Sequence, residues 1–392
     1  MEKLGFVIPW FDNSIGGAEI LCKGLAQRLK SAGFDVEVLT TCGKNAFSEW
    51  DVDFYPEGIS EIDGIPTRRF KLDGRNVSIY HNLNYKLTNN EKLTDDEAYQ
   101  FLQNTINSHP MYDFIRENAN KYFFVFMPYL YGTTFYGSII APERSYHIPC
   151  LHNEPNAYFS FYTHMFSNSR GIFFLSKAEM NFARTIYNLN PNKCFLLGGG
   201  VDRIKVVNPD AFRKKFNIDG DFVIYVGRKV EGKGATLLTK YFTKFVKENH
   251  LNLRLIFIGG GVLNIPQNDD AFIIDLGELS EEDKNNAISA SLFLIQPSFF
   301  ESFSIVLMEA WLLKKAVIVN ESCAVTKEHC IESNGGLYFS NYPEFVECMN
   351  LLIEKKEFRD KLGENGYNYV MKNFMWEDVI KRFVEFFNTT KQ

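Results

Sequence analysis

Residues 290–320 read Ala290-Ser-Leu-Phe-Leu-Ile-Gln-Pro-Ser-Phe-Phe-Glu301-Ser-Phe-Ser-Ile-Val-Leu-Met-Glu309-Ala-Trp-Leu-Leu-Lys-Lys-Ala-Val-Ile-Val-Asn320, and the order of residue types along them decides the fold. The apolar run Leu292–Ile295 predicts a buried strand, which Pro297 and Ser298 stop. A helix follows from about Ser302 or Ser304, either of which suits its N-cap, and Lys314 and Lys315 suit its C-terminal end. Ala316–Val319 then supplies a second buried strand. Such a unit belongs to a parallel sheet, where ligands bind at the carboxyl ends of strands, facing the exposed amides of the helix N-terminus. Glu301 falls in that loop and Glu309 on the helix. Two carboxylates flanking free amides can hold hydroxyls on either side of a phosphate, a socket that suits a nucleotide sugar. On spacing alone, a solvated loop and the wet face of a helix fit as well.

Outward from this unit, the same alternation runs through most of the chain. Leu4–Pro9 predicts a first strand, Trp10–Ile15 a polar loop, and Gly16-Gly17 the start of a helix. Ala18, Leu21, Cys22, Leu25, Ala26 and Leu29 recur at intervals of three and four, one helix face packed on a sheet. Gly33 ends that helix and Asp35–Thr41 is the second strand. Glycines at a helix start let phosphate or sugar oxygens approach bare amides, although a packing pair fits equally well. Residues 42–110 carry little signal beyond a strand at Ile65–Phe70, a capped helix over Asp95–Ser108, and polar loops. Asp51-Val-Asp53 does not end an apolar strand, so it is set aside as a metal site.

Strands resume at Tyr122–Met127, Ser145–Leu151 and Gly171–Leu175. His152, beside Asn153 and Glu154 at a strand end, is a candidate sugar contact or a hydrogen-bonded loop histidine. Ser176 and Glu179 have the spacing of a capping box. Cys194–Leu197 and Gly198–Asp202 end the first half of the chain, and the glycine run followed by Asn208-Pro209-Asp210 makes a hinge. Phe222–Val226, Leu253–Ile258 and Phe272–Leu276 then lead to the unit described first. The loop Gly227-Arg228-Lys-Val-Glu-Gly-Lys233-Gly234 offers an arginine and a lysine that can clamp a diphosphate; the alternative is a solvated basic turn.

The totals narrow the class. A chain of 392 residues, 45% hydrophobic and 23% charged, is comfortable for two soluble domains. Its net charge of -6 argues against nucleic acid as a partner. Seven scattered cysteines without a Cys-x-x-Cys pair fit a reducing, cytoplasmic setting rather than a disulfide framework. Tyr122–Ala141 carries no charge and is long enough to span a bilayer, but Pro128, Gly132 and Gly137 make it a strand, a loop and a short helix. Peripheral membrane contact stays open.

Three motifs together carry a resemblance. Pro297-Ser298-x-x-Glu301-x7-Glu309-Ala310, Val226-Gly227-Arg228-x4-Lys233-Gly234 and the opening Gly16-Gly17-Ala18-Glu19 resemble the signature of the large retaining glycosyltransferase family 4, with the GT-B fold. The family usually has glycine where this chain has Ser302 and Ser304. The resemblance implies an α/β GT-B chain, two Rossmann-like domains facing across a cleft. Residues 1–205 would be the acceptor domain, 206–375 the nucleotide-sugar donor domain, and 376–392 a helix crossing back. It implies that Arg228 and Lys233 bind the donor diphosphate, that Glu301 contacts the transferred sugar, and that His152 lies at the cleft edge. Gly16, Gly17, Gly227, Gly259, Glu278, Ser302, Phe303, Ser304, Ile305 and Glu309 would line the nucleotide, Glu309 on its ribose.

The implied activity is metal-independent, retaining transfer of a sugar, mannose among the first to test, from a GDP- or UDP-linked donor. No other cofactor is expected. A glycan or lipid-linked acceptor in O-antigen, lipopolysaccharide or capsule assembly follows by analogy, in the cytoplasm or at the inner face of the plasma membrane. Two rivals remain on the same fold: a non-catalytic binding subunit, and a sugar phosphorylase or epimerase.

Overall fold

The computed structural model describes residues 2–12, 16–263, 265 and 271–391. The expected Trp10–Ile15 loop therefore lies partly outside the described residues. The chain divides into two compact units, Met1–Gly200 with Glu377–Gln392, and Val201–Trp376.

The first unit runs β1 (Lys3–Val7), α1 (Gly17–Ser31), β2 (Val36–Thr41), β3 (Gly58–Ile62), β4 (Ile65–Phe70), α2 (Val77–Thr88), α3 (Asp95–Gln103), α4 (His109–Asn118), β5 (Tyr122–Phe126), α5 (Gly132–Ser138), β6 (Ser145–His147), α6 (Ser160–Asn168), β7 (Gly171–Phe174), α7 (Lys177–Tyr187) and β8 (Cys194–Leu196). Its sheet has the order β3-β4-β2-β1-β5-β6-β7-β8, parallel except for the β3–β4 hairpin. Strands buried on both faces read as continuous apolar runs, which is why Tyr122–Phe126 was legible.

Residues 70–120 depart from expectation. The helix anticipated over 95–108 ends at Gln103, and a second, unanticipated helix runs from His109 to Asn118. Thr94 and Glu97 form a reciprocal capping box on α3, and Ser108 accepts from the Met111 amide at 3.3 Å to start α4. Residues 77–88, anticipated as loop, form α2 under an Asn76 cap. The strand expected to reach Leu151 stops at His147, because Pro149 has no amide to donate and Cys150 turns to φ 52°.

The second unit runs α8 (Pro209–Phe216), β9 (Phe222–Val226), α9 (Ala235–Glu248), β10 (Arg254–Ile258), β11 (Ile273–Asp275), α10 (Glu281–Ala290), β12 (Leu294–Gln296), α11 (Ile305–Leu312), β13 (Val317–Asn320), α12 (Ala324–Ser333), β14 (Gly336–Phe339), α13 (Tyr342–Glu354) and α14 (Lys356–Asn373). The sheet order is β11-β10-β9-β12-β13-β14, with every pairing among the described residues parallel. Lys314 and Lys315 fall just past the end of α11 rather than in its last turn.

From Glu377, the last helix, α15 (Trp376–Lys391), belongs to the first unit. Its phenylalanines pack on the sheet: Phe383 stacks on Phe173 at 4.6 Å between centroids and Phe386 on Phe195 at 4.5 Å. No helix among the described residues is long and apolar enough to cross a membrane.

Candidate active site

β9 and β12 are neighbours, and the chain leaves them in opposite directions, from β9 out to β10 and β11 and from β12 out to β13 and β14. Where a parallel sheet reverses its order like this, the loops beyond the two strands part and leave a crevice for a ligand. Lys233 stands in the loop after β9 and Glu301 in the loop after β12.

Backbone contacts lock these two loops together. The Phe299 amide donates to the Gly232 carbonyl at 3.0 Å. Gly234 sits at φ 70°, and a Cβ there would run into the Pro297 carbonyl oxygen, so only glycine allows the approach. Lys233 Nζ consequently lies 2.8 Å from Glu301 Oε1 and 3.2 Å from the Phe300 carbonyl. Ser298 Oγ at 2.8 Å and Gln296 Nε2 at 3.2 Å donate to the same carboxylate oxygen. Burial pushes the Glu301 carboxyl up, but the Lys233 charge and these donors outweigh it and hold the group below its ordinary value. Glu301 is thus an oriented carboxylate with one oxygen engaged.

Ser304 makes no side-chain cap on α11; the Leu307 amide donates to the Ser304 carbonyl at 3.1 Å, and the exposed positive end of the helix favours an anion at the amides before it. Ser304 occupies the N-cap position without capping. It lies at φ 67°, and its buried hydroxyl has no hydrogen-bond partner among the described residues. Phe303 turns its ring into a cluster with His329 and Phe374, so only its backbone is offered to the loop. Ser302 and Ile305 flank that cluster at the helix start.

Arg228 is exposed in the β9 loop, where its carbonyl accepts from the Tyr225 hydroxyl at 2.7 Å. Burial pushes the Tyr225 phenol up, the Glu301 charge adds to this and the Arg228 charge opposes it, so Tyr225 feels both groups. The neighbouring glycines pack backbone on backbone. The Gly227 amide donates to Ile258 at 2.9 Å and the Gly259 amide to Gly277 at 2.7 Å, and a Cβ on Gly259 would strike the Gly227 carbonyl. Glu278 is exposed beside Gly260.

Glu309 is not engaged by Lys233. Its Oε1 lies 2.8 Å from Lys284 Nζ on α10. Sequence reasoning missed Lys284, because a contact between two helices leaves no local pattern. It also missed Lys229, whose ammonium is buried 2.6 Å from Asp275 Oδ1 and ties the β9 loop to β11.

Gly16, Gly17 and His152 belong to the first unit. Gly16 is the N-cap of α1, the helix that follows β1 in the chain. His152 Nδ1 is 3.4 Å from Glu154 Oε1, which also accepts from the Tyr129 hydroxyl at 2.9 Å. The preceding amide, Leu151 N, donates to Glu179 Oε1 at 2.7 Å, and Leu175 N donates to Glu179 Oε2 at 2.7 Å. Ser176 caps α7 by accepting from the Glu179 amide at 3.1 Å. The anticipated reciprocal box is therefore only half formed, since the Glu179 carboxylate bridges the segments that follow β6 and β7 instead.

Residues 208–369 match the family described as Glycosyl transferases group 1. Two curated relatives from Methanocaldococcus jannaschii bear the name uncharacterized glycosyltransferase. MJ1178 is 28% identical over 227 residues, 56% of this chain and 60% of the relative, so the match spans less than two thirds of that protein. MJ1607 is 21% identical over 389 residues, 94% of this chain and 93% of the relative. Among solved structures, sucrose-phosphate synthase from Thermosynechococcus elongatus superposes with a TM-score of 0.72 at 14% identity, covering 99% of both chains. Anabaena Alr3699/HepE, solved in complex with UDP and glucose, gives 0.70 at 15% identity, covering 99% of this chain and 100% of that one. WaaG, a glycosyltransferase involved in lipopolysaccharide biosynthesis, gives 0.65 at 14% identity over 96% and 98%. The chain has the GT-B fold, built from two parallel-sheet α/β units.

Proposed function

We propose that this chain is a retaining, metal-independent glycosyltransferase that moves a sugar from a nucleoside-diphosphate donor to an acceptor hydroxyl. The observation that carries the reading is the convergence of Lys233 and Glu301, remote in sequence, to 2.8 Å at the β9–β12 reversal beside the uncapped start of α11. A cation, free amides and an oriented carboxylate in one place suit the two halves of a sugar nucleotide.

Cleaving the anomeric C–O bond leaves negative charge on the departing diphosphate. Lys233, Arg228 and the amides from Ser302 to Ile305 would stabilise that charge, each well-aimed donor contributing about 3 kcal/mol. With Oε1 of Glu301 held by Lys233, Ser298 and Gln296, Oε2 remains to accept from a sugar hydroxyl. Glu309 would take the ribose hydroxyls. The acceptor oxygen would attack from the face the diphosphate leaves, its proton passing to the departing phosphate oxygen, so the anomeric configuration is kept. His152, on the first unit, would contact the sugar or the acceptor. The lipopolysaccharide role of WaaG supports a glycan or lipid-linked acceptor, met in the cytoplasm or at the inner face of the plasma membrane.

A thermal-shift screen of UDP, GDP and their sugars identifies the donor, because a ligand bound only by the native state raises apparent stability. NMR of the product should then show the donor's anomeric configuration, with the rate unchanged by EDTA. Inverted product contradicts the retaining mechanism, and loss of activity in EDTA contradicts metal independence.

A further inference from the structure

Lys284 lies outside every motif in the sequence, yet its ammonium reaches 2.8 Å from Glu309 Oε1 and 2.9 Å from Glu281 Oε2. The two contacts differ in kind. Glu281 is 72% exposed, so that pair is screened by water, whereas Lys284 and Glu309 are 15% and 14% exposed and face each other in shelter. Lys284 comes from α10, the helix that follows the Glu278 loop, and Glu309 from α11, so the pair joins the two elements expected to embrace the nucleoside.

A carboxylate that binds two ribose hydroxyls must be ionised, because a protonated carboxyl turns one oxygen into a donor. The site works against this. Burial pushes the Glu309 carboxyl above its ordinary value; Lys284 is the opposing positive charge, and Glu281 adds a like charge. Lys284 is itself desolvated by burial, but Glu309 and Glu281 outweigh that and keep its pKa above the ordinary lysine value, so the ammonium persists across the neutral range.

We propose that Lys284 is a positioning residue of the nucleotide site: by ion-pairing with Glu309 it keeps that carboxylate ionised and aimed, and it acts on the ribose only through Glu309. The inference rests on the donor-site reading above. It also gives ribose recognition a dependence on pH that Glu301, held by three partners of its own, does not share.

The test is calorimetric titration of UDP and GDP into the full chain between about pH 6 and pH 9, above the range in which ordinary carboxylates titrate; Glu179, whose carboxyl burial pushes up to about 7, lies in the first unit and is common to every variant compared. Relative to wild type, Lys284→Met should lose affinity by about tenfold for each unit by which the Glu309 pKa rises, with the deficit largest at the acid end and closing toward the alkaline end. Taking the ratio to wild type cancels the phosphate's own ionisation. Lys284→Arg should restore affinity. In a Glu309→Gln background, Lys284→Met should change nothing further. A loss that is the same at every pH, or that persists in the Glu309→Gln background, would mean that Lys284 contacts the nucleotide directly or merely supports the fold, and overturns the inference. Equal affinity of wild type and Lys284→Met overturns it as well. Wild type that binds neither nucleotide overturns the donor-site reading, and the inference with it.

Discussion

Ser304 is held at φ 67° and ψ 75°, where a side chain crowds the backbone at a cost of about 1–2 kcal/mol. Its hydroxyl is also buried without a hydrogen-bond partner among the described residues. The resemblance leads one to expect glycine here, and the backbone explains why. Ser304→Gly removes both penalties and costs about 0.5–1 kcal/mol in unfolded-chain entropy, so the variant should be more stable by about 1 kcal/mol. Urea denaturation checks this; a destabilised variant would mean that the hydroxyl makes a bond the geometry does not show. At this scale the sequence was most legible where one residue type has one use. Gly234 and Gly259 stand where no Cβ fits, and Lys233 and Glu301, from two separate motifs, lie 2.8 Å apart. Lys284 was invisible because its value lies in which neighbour the packing gives it.

Among the elements, β6 carries an oddity at its end. His147 is fully buried between Phe126 and Phe166, and neither ring nitrogen has a hydrogen-bond partner among the described residues. Burial lowers its pKa from 6.5 to about 3, so the folded chain keeps it neutral. The unfolded chain binds a proton at this residue below about pH 6.5, so this residue's contribution to stability falls as pH drops from there toward 3. His147→Leu should raise stability at neutral pH by about 1–3 kcal/mol by removing two unpaired buried polar atoms. It should also flatten the stability profile between those two pH values, as measured by denaturant unfolding at several pH values. An unchanged profile would place the acid sensitivity elsewhere.

The elements themselves were legible in proportion to their burial. Phe222–Val226 and Ile65–Phe70 have the expected bounds, because continuous or alternating apolar runs report a covered strand. The β3–β4 hairpin was only half seen. Asp63 and Gly64, at φ 48° and 79°, form the turn that pairs Ile65–Phe70 with a preceding strand whose residues are mostly exposed and so carry no apolar signal. The Ser176 and Glu179 spacing reads equally well as a box or as a cap beside a bridging carboxylate. Only the amides of Leu151 and Leu175, in the segments after β6 and β7, decide between them.

Across the whole molecule, the GT-B fold follows from two parallel sheets, each with its own reversal of strand order, β1 against β5 and β9 against β12. The fold alone hosts more than one chemistry. The functional reading therefore depends on what the second unit gathers at its reversal, and Lys233 is the residue on which the cation's role there can be isolated. The most direct measurement is the release of nucleoside diphosphate from the selected sugar nucleotide, with acceptor present, by wild type and by Lys233→Ala, alongside thermal unfolding of both. The account predicts turnover lower by about two orders of magnitude in Lys233→Ala, the loss of one aimed charge, with the unfolding transition preserved. Near-normal turnover in a folded Lys233→Ala variant would contradict it.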